Sequence, residues 1–549
     1  MASVDAIYAS LESRIVPGVI AILAAVVAYL GLFQLSKHDG PPPIPDTIPF
    51  VTNTYLFLKN MKKFISRASA TFGTGNVVTY NLGPKLVYLF RGQRNIQALL
   101  RPNHEFGSEG FMLMAKKNLW LMSETDLVKF EKDHSGRARI PAPGTESVPD
   151  SQRYWAGTHR LYDDYLSKAH YANCLAAKYY ELFNQRLDTQ PLNEWAQTHI
   201  YGFIKHHMGE SAVVSLYGPK ILELNPDFMA AFWEYDKVGV PLAWGLPRWL
   251  NRKAHRIRER YYGYTARWLE VAAQNFNLDA PDAEVDWEEH FGSRFARELS
   301  KWLRDGDFTA QTAAGFFASV ILGLNSNTVP VTTWILIHII LDQELFHAVR
   351  AEALQAVIVD PATGVRTISL PKLVSLPLLQ SIYTEVMRMK VSIAITRQVT
   401  SPVVFNGLSI AKGSFMQAMT DIPHFEEEVW GREGHPASEF WAVRHLVYTE
   451  ERDEDGRKRI VPEFSLAGKT GAFFPFGGGT GICPGRFFAK QEILVSVAAV
   501  VTRFDIEFVE WTNIDGTKSD REALSDQRYA GTAAMPPDRD LKIRWKRLW

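Results

Sequence analysis

The chain has 549 residues, of which 46% are apolar and 22% charged, and its 60 basic and 60 acidic residues balance to zero net charge. That balance argues against nucleic-acid binding, and two cysteines are too few for a disulfide framework or a cysteine-based zinc site. Length alone allows three or four domains, but no long linker divides the chain, so one large α-rich catalytic domain fits equally well.

An uncharged apolar run from Ile15 to Phe33 lies near the N-terminus. As a helix rising about 1.5 Å per residue it would span ~29 Å, close to the thickness of a bilayer core. The run is longer than the apolar region of a cleaved signal peptide, which is the competing interpretation. Asp5 and Glu12 precede it and several basic residues follow it. We therefore predict a retained anchor over residues 1–36, with the bulk of the protein in the cytosol.

Proline occurs five times between Pro41 and Pro49. Proline fixes φ and favours extended, stiff backbone. The segment therefore predicts a semi-rigid hinge over residues 37–50, followed by a catalytic domain over residues 51–549.

The first predicted elements of that domain are a hairpin and a helix. Val77–Tyr80 and Leu86–Phe90 flank the turn-forming Asn81–Pro84, which indicates a β-hairpin, and Arg91–Leu100 reads as a helix. The polar, proline-containing stretch Lys129–Arg153 is predicted to be a long exposed loop.

Several further helical regions follow. A helix is expected to begin at Trp155 and run to about Leu187, and mixed helical segments are expected over Leu192–Tyr217 and Phe228–Ala272. Their many aromatic residues are typical of a buried core.

The stretch Asp307–Leu341 is long, apolar and nearly unbroken. A second membrane span is possible by length, but consecutive polar residues in its middle favour a helix that crosses the core of a large protein. Pro330 cannot donate a hydrogen bond and crowds the carbonyl of Ser326. We expect the helix to bend or open at Ser326, Asn327 and Thr328, where polar side chains could bind a polar ligand.

An amphipathic helix is predicted at Leu378–Met389, with Glu385 and Arg388 at positions i and i+3. The two charges lie among apolar residues, and buried charges persist only when well paired. Arg444 is the candidate for a third charge that satisfies the remaining hydrogen bonds.

Two later segments complete the pattern. Glu450–Arg459 is almost entirely charged and is expected to be a solvated loop. Gly531–Pro537 reads as a turn, and Leu541–Trp545 as a last strand.

Cys483 lies in a glycine-rich stretch that begins at Phe473 and leads into an apolar helical segment, Arg486–Val501. Glycines allow tight turns and close approach of other groups. A helix N-terminus favours negative charge and is expected to lower the pKa of the thiol. A lone thiolate facing an apolar cavity suits a haem iron.

This stretch resembles the haem-binding loop of the cytochromes P-450, whose pattern is Phe-x-x-Gly-x-basic-x-Cys-x-Gly. Phe476, Gly479, Cys483 and Gly485 fall on the pattern. Gly481 occupies the basic position, so the side chain that usually meets a haem propionate is missing.

The resemblance implies a haem b cofactor with Cys483 as the axial ligand of its iron. It implies that Phe476, Gly477 and Gly485 lie against the cofactor, and that Arg397, after the pocket-lining stretch Val391–Thr396, meets a propionate. Trp155 begins the segment where the family has Trp-x-x-x-Arg; here His159 stands at the arginine position and Arg160 one step on.

The family's central helix carries an acid and a threonine that pass protons to bound oxygen. Here Ser326 and Asn327 occupy those positions, with Thr328 next, so proton delivery is expected to differ. A similar Asn-Thr-hydrophobic-Pro sequence occurs in the sterol 7α-hydroxylase and prostacyclin synthase branch. Glu385 and Arg388 resemble the family's Glu-x-x-Arg pair, and Arg444 resembles its partner arginine, whose role is structural.

The resemblance thus implies a cytochrome P450 fold, mainly α with small β-sheets (α+β), behind an N-terminal transmembrane helix. It implies a monomeric monooxygenase in the endoplasmic reticulum membrane, with a cytosolic catalytic domain that draws electrons from NADPH through a partner reductase. We expect a terpenoid, sterol or polyketide substrate in fungal secondary-metabolite biosynthesis. A reductase-independent haem isomerase or dehydratase is the alternative, and a haem-binding sensor or carrier is a third.

Overall fold

A computed structural model describes residues 24–26, 40–243, 245–452 and 457–549. These residues form many helices and several small sheets, which confirms the predicted α-rich class with small β-sheets. The predicted anchor lies outside the described residues, apart from residues 24–26, which are helical.

Helices are the main elements of the described residues. In chain order they are α1 (Thr52–Lys59), α2 (Met61–Phe72), α3 (Gln93–Leu100), α4 (Glu109–Asn118), α5 (Glu124–Lys132), α6 (Tyr154–Tyr162), α7 (Ala169–Asp188), α8 (Ile200–Phe203), α9 (Gly209–Tyr217), α10 (Lys220–Leu224), α11 (Phe228–Asp236), α12 (Gly239–Ala243), α13 (Arg252–Asn275), α14 (Arg294–Asp305), α15 (Ala310–Leu341), α16 (Gln343–Leu354), α17 (Leu370–Leu373), α18 (Pro377–Lys390), α19 (Glu427–Trp430) and α20 (Arg486–Arg503).

The strands are short, and most of their pairings are antiparallel. In chain order they are β1 (Val77–Leu82), β2 (Lys85–Phe90), β3 (Phe106–Gly107), β4 (Trp195–His199), β5 (Trp287–Glu288), β6 (Gly292–Ser293), β7 (Val357–Val359), β8 (Arg366–Ile368), β9 (Val391–Val399), β10 (Val403–Phe405), β11 (Leu408–Ile410), β12 (Phe415–Met419), β13 (Leu446–Arg452), β14 (Lys458–Phe464), β15 (Phe504–Thr512), β16 (Thr532–Ala534) and β17 (Asp540–Arg547).

The main sheet has the order β1-β2-β12-β9-β16, with β3 also paired to β9. Only the β2–β12 contact within it is parallel. A second sheet has the order β15-β17-β4, and the remaining strands pair as hairpins. Strand β9 thereby brings the residues after α18 to the centre of the main sheet.

The predicted first hairpin is present as β1 and β2, with Val77 opposite Phe90. The predicted hinge is not a free arm, because its backbone is hydrogen-bonded to strand β1. The amide of Ile44 donates to the carbonyl of Thr79 at 2.7 Å, the amide of Thr79 donates to the carbonyl of Pro42 at 3.0 Å, and Ile44 is buried. The proline segment therefore packs through Pro42 and Ile44 on the edge of the main sheet.

Helix α15 forms the centre of the fold and packs against α13, α18 and α20. Its N-cap, Thr309, accepts a hydrogen bond from the amide of Thr312. Among the described residues it is the one helix long and apolar enough to cross a membrane, and most of it is buried inside the protein. We therefore interpret it as a core helix, as the sequence predicts.

The expected opening of α15 near Pro330 is not observed, because the helix continues through that residue. Side chains in the preceding turn add hydrogen bonds there. Asn327 Nδ2 donates to the carbonyl of Gly323 at 2.8 Å, and Thr328 Oγ1 donates to the carbonyl of Leu324 at 3.2 Å. The polar residues thus support the turn before the proline.

Two other predicted elements differ from the structure. The helix expected from Trp155 to Leu187 is divided into α6 and α7 by a π-helical turn at Asp163–Ser167. The segment Glu450–Arg459, expected to be a loop, contributes to the exposed antiparallel hairpin β13–β14, and Lys458 pairs with Glu450 at 2.8 Å. Cross-strand ion pairs explain why so charged a sequence forms strands.

Glycine at position 315 is required by close packing of α15. A Cβ atom there would lie 1.8 Å from the carbonyl oxygen of Trp120, whereas a Cβ atom at Gly323, on the same helix, would meet nothing within 4 Å. We expect Gly315→Ala to destabilise the fold by about 1–3 kcal/mol through overpacking. Gly323→Ala should stabilise it by about 0.5–1 kcal/mol, because alanine favours a helix.

Thermal unfolding of the two variants and the unsubstituted protein, compared at one scan rate, checks this expectation. Equal unfolding midpoints for the two variants would show that the backbone at Trp120 moves aside without loss of folding stability.

Candidate active site

A cavity of about 610 Å³ lies between α15, the loop that carries Cys483, strand β9 and helices α4 and α6. The polar wall of α15 is formed by Ser319, Gly323, Asn327 and Thr328, and much of the remaining wall is apolar. The Cys483 side chain also lines this cavity, so the thiol and the central helix border the same space.

The loop around Cys483 is held in a tight conformation. The amide of Cys483 donates to the carbonyl of Phe476 at 2.9 Å, and the backbone φ angles of Gly477 and Gly479 are +72° and +61°. A Cβ atom at Gly479 would lie 1.7 Å from the carbonyl oxygen of Leu100. Only glycine fits such a position, because both the conformation and the contact exclude a side chain.

Helix α20 begins directly after Cys483 and Gly485, as the sequence predicts. Burial raises the pKa of the Cys483 thiol, while the amides of Gly485 and Arg486 and the charge of Arg486 lower it. The predicted lowering of the thiol pKa is therefore wrong in direction, because loss of solvent outweighs the helix N-terminus. The local amides and the arginine nevertheless favour a thiolate once a cation is present.

Two arginines line the cavity near this loop. A Cβ atom at Gly481 would lie 3.5 Å from Arg397 Nη2, so Arg397 reaches the position where the family pattern has its missing basic side chain. Arg137 Nη1 donates to Ser108 Oγ at 3.0 Å. Burial lowers the pKa of both arginines, and the charge of Arg137 lowers the pKa of Arg397 further.

Arg137 corrects one expectation from the sequence. It belongs to the stretch Lys129–Arg153 that was expected to be an exposed loop. Arg153 is buried there, and its guanidinium donates to the carbonyls of Ala138 at 2.7 Å and Arg139 at 3.0 Å. These bonds hold the loop against the domain and bring Arg137 to the cavity wall.

Of the two basic residues expected at the cofactor edge, His159 lines the cavity and Arg160 does not. The pKa of His159 is lowered by burial and by Arg137, while the Thr480 backbone raises it. Arg160 instead pairs with Asp150 at 3.3 Å on the surface.

The described residues fit a haem. Within the described ranges, no carboxylate lies within ion-pair distance of Arg137 or Arg397, although both guanidiniums border the cavity. Two carboxylates are what this pair of cations lacks, and a haem carries two propionates. Cys483 would supply the axial sulfur, with Arg137, Arg397 and His159 beside the propionates.

The three predicted catalytic residues of α15 separate in the structure. Asn327 and Thr328 line the cavity, and Asn327 Oδ1 accepts a hydrogen bond from the amide of Ala534 at 3.0 Å. Ser326 is not on the wall, because its hydroxyl donates to the carboxylate of Asp236 on α11. Its expected place in the cavity is therefore corrected.

Asp236 receives a second hydrogen bond, from the Tyr529 hydroxyl at 2.7 Å. Burial raises the pKa of Asp236, although the Ser326 and Tyr529 hydroxyls act in the opposite direction. A carboxyl group therefore meets α15 at the position where the family's own helix carries an acid, but it comes from another helix. Nothing in the local sequence around Asp236 signals this contact.

The Glu385 carboxylate lies at the centre of a buried ion network. It is fully buried and accepts hydrogen bonds from Arg388 Nη2 at 2.8 Å, Arg388 Nε at 2.9 Å and Arg444 Nε at 2.7 Å. His445 Nε2 adds a fourth contact at 3.1 Å. The structure thus brings together the three predicted charges and adds a histidine that the sequence reasoning missed.

Electrostatics follow from this geometry. Burial alone raises the pKa of Glu385, but the hydrogen bonds from Arg388 and His445 outweigh it and lower the pKa to about 2. The remaining guanidinium hydrogens of Arg444 donate to four backbone carbonyls, those of Trp430, His435, Pro436 and Glu439. A network so fully satisfied is stabilising only as a whole.

The network is linked to the Cys483 loop through His424. The carbonyl of His424 accepts from Arg388 Nη1 at 2.6 Å, and His424 Nδ1 contacts the carbonyl of Arg388 at 3.0 Å. The amide of Phe474, at the start of the loop, donates to His424 Nε2 at 3.3 Å. Burial lowers the pKa of His424 to about 3, so the ring is neutral and Nε2 can accept that bond.

Comparison with known proteins gives a consistent result. The family model described as Cytochrome P450 matches residues 209–525. The Cytochrome P450 monooxygenase calL of Penicillium decumbens is 46% identical over 530 residues, which cover 96% of this chain and 97% of that protein. The Cytochrome P450 monooxygenase fsoE of Humicola fuscoatra is 29% identical over 531 residues, covering 92% and 87% of the two chains. Cytochrome P450 7A1 of Rattus norvegicus is 27% identical over 374 residues, covering 64% and 67%.

Removing the central carboxylate tests the ion network. We expect Glu385→Gln to destabilise the fold by about 3–5 kcal/mol at neutral pH, because two buried guanidiniums lose their counter-charge. Urea unfolding followed by tryptophan fluorescence measures the difference in stability. The matched control is Glu433→Gln, which changes an exposed glutamate in the segment Trp430–Glu439 that Arg444 binds.

The same variants carry a pH signature. The pKa of Glu385 is lowered from 4.5 to about 2, so its contribution is fully present above the higher value and is lost as the pH falls through the lower one. The unsubstituted protein should therefore lose stability more steeply than Glu385→Gln in acid. Parallel pH profiles would contradict this role.

Proposed function

Since the chain belongs to the cytochrome P450 family of monooxygenases, we propose that it is a membrane-anchored haem-thiolate enzyme that inserts one oxygen atom from O₂ into a lipophilic substrate. The observation that carries the proposal is the Cys483 thiol on the wall of a largely apolar cavity, opposite polar residues of α15.

A thiolate-bound haem supplies the oxygen activation in this family, since the thiolate donates electron density that favours O–O cleavage. The residues of this chain bind and orient it. The glycines at 477, 479 and 485 keep the loop tight around Cys483. Arg397 and Arg137 would neutralise the haem propionates, with His159 beside them, and the Glu385 network fixes the loop through His424.

The polar residues of α15 on the cavity wall are proposed to transfer protons. Asn327 stands at the position of the family's threonine and Thr328 follows it, and both line the cavity. A threonine hydroxyl can donate and accept a proton at the same atom, which suits transfer toward bound oxygen. Ser326, turned toward Asp236, stands outside the cavity wall.

Electrons are proposed to come from NADPH through a partner reductase, and the anchor over residues 1–36 would hold both proteins at the endoplasmic reticulum membrane. The apolar run Ile15–Phe33 supports the anchor, and the basic residues after it favour a cytosolic catalytic domain. The chain would act as a monomer.

The substrate is proposed to be a terpenoid, sterol or polyketide in secondary-metabolite biosynthesis. The largely apolar wall favours a lipophilic molecule, and two similar monooxygenases come from fungi.

The side chains that α15 presents to the cavity favour a second candidate function. Asn327 replaces the family's threonine, and no carboxylate of α15 faces the cavity within the described residues, so a reaction that needs no external protons or electrons also fits. That reaction would be the isomerisation or dehydration of a peroxide or similarly oxygenated substrate. The sensor or carrier alternative predicts no turnover at all.

The ligand role of Cys483 has a spectroscopic test. The full-length protein, reduced and exposed to carbon monoxide, should show the red-shifted Soret band of a thiolate-ligated haem. Cys483→Ser should lose that band and activity, whereas Cys174→Ser, which changes the other cysteine, should keep both. A retained band in Cys483→Ser would remove the basis of the proposal.

Metabolite profiling of a deletion strain is the route to the substrate. Turnover of that substrate is then assayed with and without NADPH and reductase. Turnover that needs both supports the monooxygenase, and turnover that needs neither supports the isomerase or dehydratase.

Thr328 allows a finer prediction. We expect Thr328→Val to lower product formed per NADPH consumed by about tenfold to hundredfold and to raise hydrogen peroxide release, because the proton donor is lost while the shape is kept. Thr333→Val, which changes a buried threonine of α15 that does not line the cavity, is the control. If both variants keep the coupling of the unsubstituted enzyme, Thr328 has no role in proton transfer.

A further inference from the structure

Lys116 is a buried lysine for which the proposed function has no use. It lies in the last turn of α4 and is 1% exposed. Lysine is almost never fully buried unless its ammonium group is paired. Lys116 also lines the cavity that contains Cys483.

Aromatic rings surround its ammonium group. Lys116 Nζ lies 4.1 Å from the ring centroid of Phe130 and 4.4 Å from those of Trp120 and Phe316. The Trp155 ring lies at 5.7 Å. Ring faces attract a cation by about 0.5–2 kcal/mol each, but they offer no oxygen to accept its hydrogen bonds. We call this group of four rings the aromatic box.

Within the described residues, no protein atom accepts a hydrogen bond from Lys116 Nζ. Its neighbour Lys117 contrasts with it, because Lys117 is exposed and pairs with Glu124 at 2.9 Å. Burial lowers the pKa of Lys116 strongly, and the charge of Arg137 adds to the effect. A buried donor without an acceptor is costly, so the site is incomplete until a ligand oxygen enters it.

The wall beside the aromatic box is apolar. The same cavity is lined by Phe111 and Met112 of α4, by Trp120 just after that helix, and by Val320 of α15. A molecule that fits this wall has a lipophilic body. The group that fits Lys116 is an anionic oxygen, because an ammonium pairs most strongly with a carboxylate.

A carboxylate could also come from the cofactor, and the positions of the cations separate the two sources. Two basic side chains contact the Cys483 loop: Arg397 lies beside Gly481, and His159 lies at the backbone of Thr480. The aromatic box instead includes Phe316 of α15. Phe316 lies seven residues before Gly323 of the cavity wall, which is about 10 Å along the helix axis. Arg137 and Arg397 already provide two guanidiniums for two propionates.

From this juxtaposition we propose that Lys116, in its aromatic box, binds a carboxylate of the substrate, so that the enzyme selects lipophilic carboxylic acids over their neutral counterparts. The inference rests on the proposed function, since it gives the substrate class of the same cavity. Lys116 is a specificity-determining residue in this account and takes no part in the oxidation.

The test uses the full-length haem-loaded protein and three matched pairs of probes. They are 4-phenylbutyric acid and 4-phenylbutanol, lauric acid and 1-dodecanol, and dehydroabietic acid and its primary alcohol. Binding is followed by the spectral shift of the haem on titration. Three variants are compared: Lys116→Met keeps length without charge, Lys116→Arg keeps charge, and Lys117→Met changes the exposed neighbour.

We expect at least one acid to bind the unsubstituted protein about tenfold or more tightly than its alcohol, a difference of about 1.4 kcal/mol. Lys116→Met should abolish that preference, Lys116→Arg should keep part of it, and Lys117→Met should leave it unchanged. Haem content and the thermal midpoint of each variant show whether it is folded, and methionine is chosen because it fills an aromatic box without a charge.

Three outcomes would overturn the inference. They are equal binding or no binding of all acids and alcohols by the unsubstituted protein, an acid preference that survives in Lys116→Met, or faster haem loss to apomyoglobin from Lys116→Met with selectivity unchanged. The last result assigns Lys116 to a propionate. The reduced carbon monoxide spectrum, recorded first, separates these results from failure of the proposed function, which would remove the haem-thiolate band itself.

Discussion

The fold around the cavity depends on one buried carboxylate. Glu385 is shared by two arginines and a histidine, and each of these partners is tied to a different part of the chain. Arg388 belongs to α18, Arg444 gathers the backbone from Trp430 to Glu439, and His424 passes the connection to the start of the Cys483 loop. A single ionised group therefore links α18, the segment from Trp430 to Glu439 and the start of the Cys483 loop. Because the group is fully buried, its ionisation and the packing of the loop cannot change independently.

Basic side chains, in contrast, are the main ionisable groups on the cavity wall. Arg137, Arg397, His159 and Lys116 all border it, and two of them come from segments whose sequences carry no sign of a site. Buried cations that form no ion pair with a carboxylate of the described residues are places for carboxylates of ligands. Two guanidiniums match a haem, and the lysine in its aromatic box is left for a different acid. Recognition on both sides of the cavity thus follows from one principle, that a buried charge requires a partner.

Sequence reasoning worked where a local pattern carries the information. The first hairpin, the long core helix at α15, the helix that begins after Cys483 and the last strand all follow from periodicity, turn residues or glycine spacing. The ion network was also within reach, because Glu385 and Arg388 are neighbours on one helix face. It failed where two distant segments decide the outcome. The charged stretch at Glu450 becomes a hairpin through cross-strand pairs, and the polar loop before Arg153 folds back because that arginine binds its carbonyls.

By itself the sequence determined the α-rich class, the family resemblance, the place of Cys483 before a helix and the order of elements, since each depends on residues close together in the chain. Tertiary structure alone decided which side chains meet across the cavity. It turned Ser326 toward Asp236, brought Arg137 to the cavity wall, enclosed Lys116 among four rings from four segments and reversed the expected pKa shift of the thiol. The physical reason is that burial and long-range contact set the free energy of a charged group, and neither is written in the neighbouring residues.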